Sequence, residues 1–198
     1  MKPSELRGRK IRVYDIECKN QVDNKTIGWK DYDLMGISVL TIFDYEDGDY
    51  KVFFDNELGK AVELLNGSEL VVGFNICGFD NALLRTFRPE LKKEDELNCY
   101  DIYLQSKLAV GAPEERPKGL RLDDHLKASL GMGKTANGWE APLMYQNGRM
   151  GELVSYNIAD VRRERMLFEH VVEKGTVSTE AYGTYNIPHP SLYLRGMK

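Results

Sequence analysis

Apolar and polar residues alternate at the start of the chain, and the alternation then breaks in an informative way. In "KIRVYDIEC" (10–18) an extended strand places Ile11, Val13, Asp15 and Glu17 on one face. The first two residues need a core, whereas the two carboxylates that follow them need something other than a core. "LMGISVLTIFDYEDGDYKVFFD" predicts two further strands, about 35–44 and 50–54, turning at Glu46-Asp47-Gly48-Asp49. Short connections favour pairing between neighbours, so these three strands are expected as an antiparallel meander. The polar stretch "KNQVDNKTIGWKDYD" between the first two reads as an exposed loop.

The apolar spacing then changes from two to three and four. "NELGKAVELLNG" puts Leu58, Ala61, Val62 and Leu65 on one helical face, with Asn56 as N-cap and Gly67 past the end. "ELVVGF" (69–74) predicts a buried strand, followed by a helix from 78 or 79 to Phe87, before Pro89. "NCYDIYLQSKLAV" leads into another helix, "APEERPKG" is a loop, "LRLDDHLKASLG" is amphipathic and "MGKTANGWEAPLMYQNGR" is irregular. Residues 150–175 carry one long helical pattern, with a break in it left open. The remainder, with Tyr182, Tyr185, Tyr193 and two prolines, predicts an extended arm packed on the domain or on a protein partner. The expectation is an α/β domain over 1–175, with a mixed central sheet flanked by helices, and a C-terminal arm over 176–198.

Composition narrows the function classes. With 198 residues, 42% hydrophobic and 29% charged, the chain suits one globular domain. No run approaches the roughly 18 apolar residues of a membrane span, and "MKPSELRGRK" has no signal-like apolar segment, so a cytoplasmic protein without membrane contact is expected. Cys18, Cys77 and Cys99 lack CxxC spacing, which argues against both a disulfide framework and a zinc site. The net charge of −4 weighs against a protein that coats nucleic acid non-specifically. It leaves a nuclease open, because carboxylates that hold divalent ions are offset by them.

Two more stretches bear on the carboxylates of the first strand. "VVGFNICGFDNALL" places Asn75 at a strand end and Phe79-Asp80 at a helix start, where exposed N–H groups favour an acid. "SYNIADVRRERMLF" puts Tyr156 and Asp160 four apart on one helix face. Singly, these features read as a solvated strand edge, a helix cap and a surface pair.

Together, "YDIEC", "GFNICGFD" and "YNIAD" resemble, in order, the Exo I, Exo II and Exo III motifs of the DEDD 3′–5′ exonuclease superfamily, with wording most similar to the proofreading domains of family B DNA polymerases. The similarity spans 11–168. It implies an RNase H-like fold and a 3′–5′ exonuclease that hydrolyses terminal phosphodiesters to nucleoside 5′-monophosphates using two Mg²⁺ or Mn²⁺ ions. The implied substrate is a nucleic-acid 3′ end, DNA or RNA, with single-stranded DNA favoured. By the same resemblance Asp15 bridges both ions, Glu17 and Asp160 complete the site that activates water, and Asp80 serves the other ion largely through water. Tyr156 holds the attacking water. It marks the tyrosine branch, since the position five before the last Asp, histidine in the other branch, is Ser155 here. His125, His170 and His189 are then structural or surface residues. Asn75 would hydrogen-bond the terminal nucleotide or cap the strand, and Phe79 would pack beside the terminal base or belong to the core. Asp101 would support the site or cap a helix.

Two rival classes share these residues: a structure-directed endonuclease using the same site, and a catalytically inactive nucleic-acid-binding module. "ASLGMGKT" (128–135) approximates a phosphate loop, yet it follows a helical pattern rather than a strand, so Lys134 is instead a candidate backbone contact. Arg85, Arg88, Lys92 and Lys93, and then Arg162, Arg163 and Arg165, either meet phosphates or form solvated faces.

Overall fold

A computed structural model describes residues 2–23, 25–93, 96–112, 117–133 and 140–194. Its elements in chain order are β1 (Ile11–Cys18), α1 (Tyr32–Met35), β2 (Ile37–Asp44), β3 (Asp49–Phe53), α2 (Leu58–Asn66), β4 (Leu70–Gly73) and α3 (Asp80–Phe87). There follow β5 (Cys99–Asp101), α4 (Ile102–Ala109), α5 (Leu122–Leu130), α6 (Glu140–Gln146), α7 (Met150–Lys174), β6 (Thr176–Thr179) and β7 (Gly183–Asn186).

Five strands form one mixed sheet in the order β3-β2-β1-β4-β5. The meander β1-β2-β3 is antiparallel, as its short connections predict, while β4 and β5 lie parallel to β1. Parallel neighbours need a crossover, and α2 and α3 supply the connections. This is an α/β fold of RNase H-like arrangement, with helices on both faces of the sheet.

Strand alternation divides the core in two. Ile11 and Val13 pack with Val72, Tyr100, Val161, Leu167 and Phe168 on the face that α7 covers. Tyr14 and Ile16, pointing the other way, pack with Ile42, Val62, Leu65 and Leu83 beneath α2 and α3. β2 is buried throughout, as a strand with both faces covered must be. Because Asp15 and Glu17 continue the Ile11–Val13 face, the strand delivers them to the side on which α7 lies.

Three short elements differ from the sequence reading, the first being α1, a single helical turn where an exposed loop was expected to run into a strand. "NCYDIY" contains the three-residue edge strand β5, too short for alternation to register. The irregular stretch contains α6, and its Pro142 sits in the first turn, where a missing N–H costs no helical bond. α7 is continuous over 25 residues. Residues 176–186 form the β6–β7 hairpin, and Val177, Ile187 and Leu194 join the core on the α7 face. Tyr193 stacks edge-on against Tyr100, with ring centroids 5.1 Å apart. No helix among the described residues is long and apolar enough to cross a membrane.

Candidate active site

β1 stays regular as far as Glu17, and its register against β2 shifts between Glu17 and Cys18. The Ser38 hydroxyl donates to the carbonyls of Glu17 (2.9 Å) and Cys18 (3.2 Å), satisfying oxygens that the shifted ladder leaves over. The carboxylates thus stand where the strand leaves the sheet.

The turn between β4 and α3 brings in the next residues. Asn75 has φ 68°, a left-handed conformation that asparagine tolerates better than most residues. Its carbonyl accepts from the N–H groups of Gly78 and Phe79, each at 3.0 Å. A Cβ at Gly73 would come within 2.3 Å of Ile76 and 3.0 Å of the Tyr14 carbonyl, so the turn needs glycine there, while one at Gly78 would only push the Asn75 amide aside. Asp101 holds it from outside, accepting from Asn75 N–H (2.8 Å) and Cys77 N–H (3.0 Å) while also capping α4 through Leu104 N–H (3.1 Å). Both expected roles of Asp101, support and cap, are thus filled by one buried side chain.

Asp15, Glu17 and Asp160 offer ligand atoms that all lie within 4.8 Å of one another. Asp80 stands beside this group, its Oδ1 accepting from Ile16 N–H at 3.2 Å. Tyr14, on the opposite side of β1, donates to Asn81 Oδ1 at 2.5 Å and so fixes the start of α3 against the strand. Tyr156 lies one turn before Asp160 on α7, near enough for each side chain to bear on the other's ionisation.

The electrostatics follow from crowding. Burial first, and then the neighbouring carboxylates, push Asp15 and Glu17 well above the usual range. Burial raises Asp80 to about 7 despite its backbone hydrogen bonds. Burial also raises Asp160, against the lowering effect of the Arg163 guanidinium 2.9 Å away. Tyr156 is pushed up by burial and by Asp160. A donor set made only of carboxylate oxygens suits hard divalent cations such as Mg²⁺ or Mn²⁺, whose charge offsets this repulsion. The group Asp15, Glu17 and Asp160 can therefore hold a metal.

Three contributors escape the motif reading. Asn157, fully buried, donates to Asp15 Oδ2 at 2.7 Å. Arg163 joins Asp160 to Asp123. Glu164 is buried one turn beyond Asp160. The available signal was helical spacing, which puts 157, 160 and 164 along one side of α7.

Cavities flank the Asn75–Asp80 turn. One of about 270 Å³ is apolar, lined by Ile16, Glu17, Trp29, Phe79 and Pro142 among others. In it the Trp29 and Phe79 rings meet nearly edge-on, with centroids 6.4 Å apart. Phe79 also packs against the core under α2 and α3, so the two readings of it coexist. The other, of about 760 Å³, is lined by Phe74, Asn75, Tyr103, Lys107, Lys118 and Arg121 with neighbours.

Other candidates have structural uses. Arg85 donates to the Leu91 and Lys92 carbonyls, and Arg165 lies over the Phe43 ring at 4.3 Å. His125 is buried, with Nδ1 at the Arg121 carbonyl and Nε2 at the Tyr185 hydroxyl. Residues 128–130 close α5, so "ASLGMGKT" follows a helix and not a strand, and Lys134 falls outside the described residues.

No protein-family model matches the chain, and no curated protein matches it. Among solved structures, a family B DNA polymerase from the hyperthermophilic archaeon Pyrobaculum calidifontis is similar, with TM-score 0.62 and 18% identity over 81% of this chain. The chain spans 24% of that polymerase's length. A likeness at this identity shows a shared fold.

Proposed function

We propose that this chain is a metal-dependent 3′–5′ exonuclease of the tyrosine branch, acting on a nucleic-acid 3′ end, with single-stranded DNA the favoured substrate. The observation that carries the reading is the convergence of Asp15, Glu17 and Asp160 within 4.8 Å, beside Asp80 and Tyr156. Asp15, Glu17, Asp80 and Asp160 would hold two Mg²⁺ or Mn²⁺ ions. When bound, such ions supply Lewis-acid charge to the phosphate and a water nucleophile at neutral pH.

The chain's own groups do the rest. The Tyr156 hydroxyl, kept protonated by burial beside Asp160, orients the attacking water and does not remove its proton. Water oxygen bonds to phosphorus, the bond to the 3′ oxygen of the preceding nucleotide breaks, and the proton that the water gives up is balanced by the one that the 3′ oxygen takes from solvent, releasing a 5′-monophosphate. The apolar cavity with Trp29 and Phe79 receives the terminal base, because an aromatic face stacks on any base. Asn75, in the wall of the larger cavity, bonds the terminal nucleotide. The larger cavity, with Lys107, Lys118 and Arg121, receives the phosphates of the strand behind it. In this reading 1–175 is the catalytic domain, and the 176–198 arm braces it through Tyr185 and Tyr193.

The test is degradation of 3′-labelled and 5′-labelled DNA and RNA oligonucleotides with Mg²⁺ or Mn²⁺, resolved to single nucleotides, for wild type and Asp15→Ala. A metal-dependent ladder from the 3′ end, absent in the variant, is expected. Cleavage of substrates with blocked 3′ ends would favour an endonuclease, and binding without cleavage would favour an inactive module.

A further inference from the structure

Arg163 carries a full charge into a nearly closed place. It is only 7% exposed on α7, which rules out the solvated face that its sequence neighbourhood suggested. Its guanidinium spans two carboxylates on different helices: Nη1 donates to Asp160 Oδ1 at 2.9 Å, and Nη2 donates to Asp123 Oδ1. The Nε atom, buried as well, has no hydrogen-bond partner. Charges taken out of water gain little stability over well-packed apolar side chains, so packing alone does not explain the residue.

Its two partners lead in different directions. Asp160 belongs to the acidic cluster, one turn back along α7. Asp123 lies in the first turn of α5, which packs against α7, and the residues just before it, Arg121 and Leu122, line the larger cavity. One guanidinium thus fastens a cluster carboxylate to a second helix.

We propose that Arg163, anchored by Asp123, is a positioning residue that holds the Asp160 carboxylate in the orientation facing Asp15 and Glu17. The inference rests on the metal-dependent reading above. A carboxylate on an untethered side chain turns about its torsions, and a hydrogen bond from an anchored donor stops it, as groups behind metal ligands commonly do. The planar fork matters as much as the charge. A lysine ammonium keeps the charge but is a point donor on a flexible stem, and cannot serve both acids in this geometry. At position 123, asparagine keeps an acceptor for Arg163 without the charge, and alanine keeps neither.

The experiment is calorimetric titration of the whole chain with Mn²⁺, comparing wild type with Arg163→Lys, Asp123→Ala, their double variant and Asp123→Asn, with folding followed by near-UV circular dichroism. Arg163→Lys and Asp123→Ala should each bind Mn²⁺ about tenfold more weakly, the usual effect of losing support behind a metal ligand. The double variant should bind no more weakly than either, because both changes break one device. Asp123→Asn should bind like wild type. On an oligonucleotide, Arg163→Lys should lose kcat at limiting Mn²⁺ and regain it in excess, which a purely structural ion pair would not do. Wild-type Mn²⁺ affinity in folded Arg163→Lys would overturn the inference, and so would equal weakening in Asp123→Asn and Asp123→Ala, since charge and not position would then be at work. Should Arg163→Lys not fold, Asp123→Ala, at a side chain 35% exposed, decides by the same criterion. Failure of wild type itself to bind Mn²⁺ would overturn the metal reading and this inference with it.

Discussion

The side-chain amide of Asn157 donates to the Asp15 carboxylate at 2.7 Å, tying the longest helix directly to the central strand at the acidic cluster. A hydrogen bond to a charged group contributes about 1.5–3 kcal/mol, part of it offset here by the unpartnered Asn157 Oδ1. Asn157→Ala should therefore lower unfolding stability by roughly 1–2 kcal/mol in urea titration. Asn157→Asp should do more harm, since it adds an acid where acids already repel. Equal stability of Asn157→Asp and wild type at pH 8 would show that the amide is dispensable.

The metal-free protein should be more stable at pH 5 than at pH 8. Asp15, Glu17 and Asp80 have folded-state pKa values above their unfolded ones, so the native chain binds more protons between about pH 4 and 7, and stability falls as pH rises through that window. In EDTA the melting temperature should drop by ~5 °C or more from pH 5 to pH 8, given ~2–4 °C per kcal/mol for a chain of this size. Asp80→Asn should flatten the dependence. A flat profile in wild type would contradict the crowding.

Divalent ions should reverse this loss. At pH 8, Mn²⁺ at a hundred times its dissociation constant should add about 2.7 kcal/mol, seen as a rise in melting temperature that matched ionic strength from NaCl does not reproduce. Asp160→Ala should abolish most of the rise. An equal rise in that variant would move the ion elsewhere.

Trp29→Ala should weaken binding of a single-stranded oligonucleotide about fivefold or more, a base-stacking contribution of ~1–3 kcal/mol. The comparison is made by fluorescence anisotropy in an Asp15→Asn background, so that the strand stays intact. The indole is 40% exposed, so melting temperature should hardly change. Unaltered affinity would place the terminal base outside the apolar cavity.

Much of the frame was legible because two periods carry it. The switch from alternation in Ile11, Val13, Asp15 and Glu17 to helical spacing in Leu58, Ala61, Val62 and Leu65 marks the meander and the first crossover. β5 was hidden because three residues show no period. α6 was hidden because Pro142 reads as a breaker unless the helix start is known. At the site, charge drew attention to the carboxylates, whereas Asn157 and Glu164 looked like ordinary surface positions on a helix. Only the depth at which α7 lies across the sheet separates them from solvent-facing neighbours.

The carboxylates and the Trp29 wall of the small cavity belong to different kinds of backbone. Asp15, Glu17 and Asp160 sit on a central strand and a long helix whose other residues fill the core, so a one-residue slip there would undo the fold along with the site. Trp29 sits between Cys18 and Tyr32, on a connection whose closure entropy changes by only about 0.6 kcal/mol when its length doubles. On the proposed function, the lining offered to the base can thus be lengthened, shortened or exchanged while the carboxylates stay where they are. Under the proposed exonuclease reading, substrate preference is the more evolvable half of the molecule, and grafting other sequences between Cys18 and Tyr32 is the route to altering it.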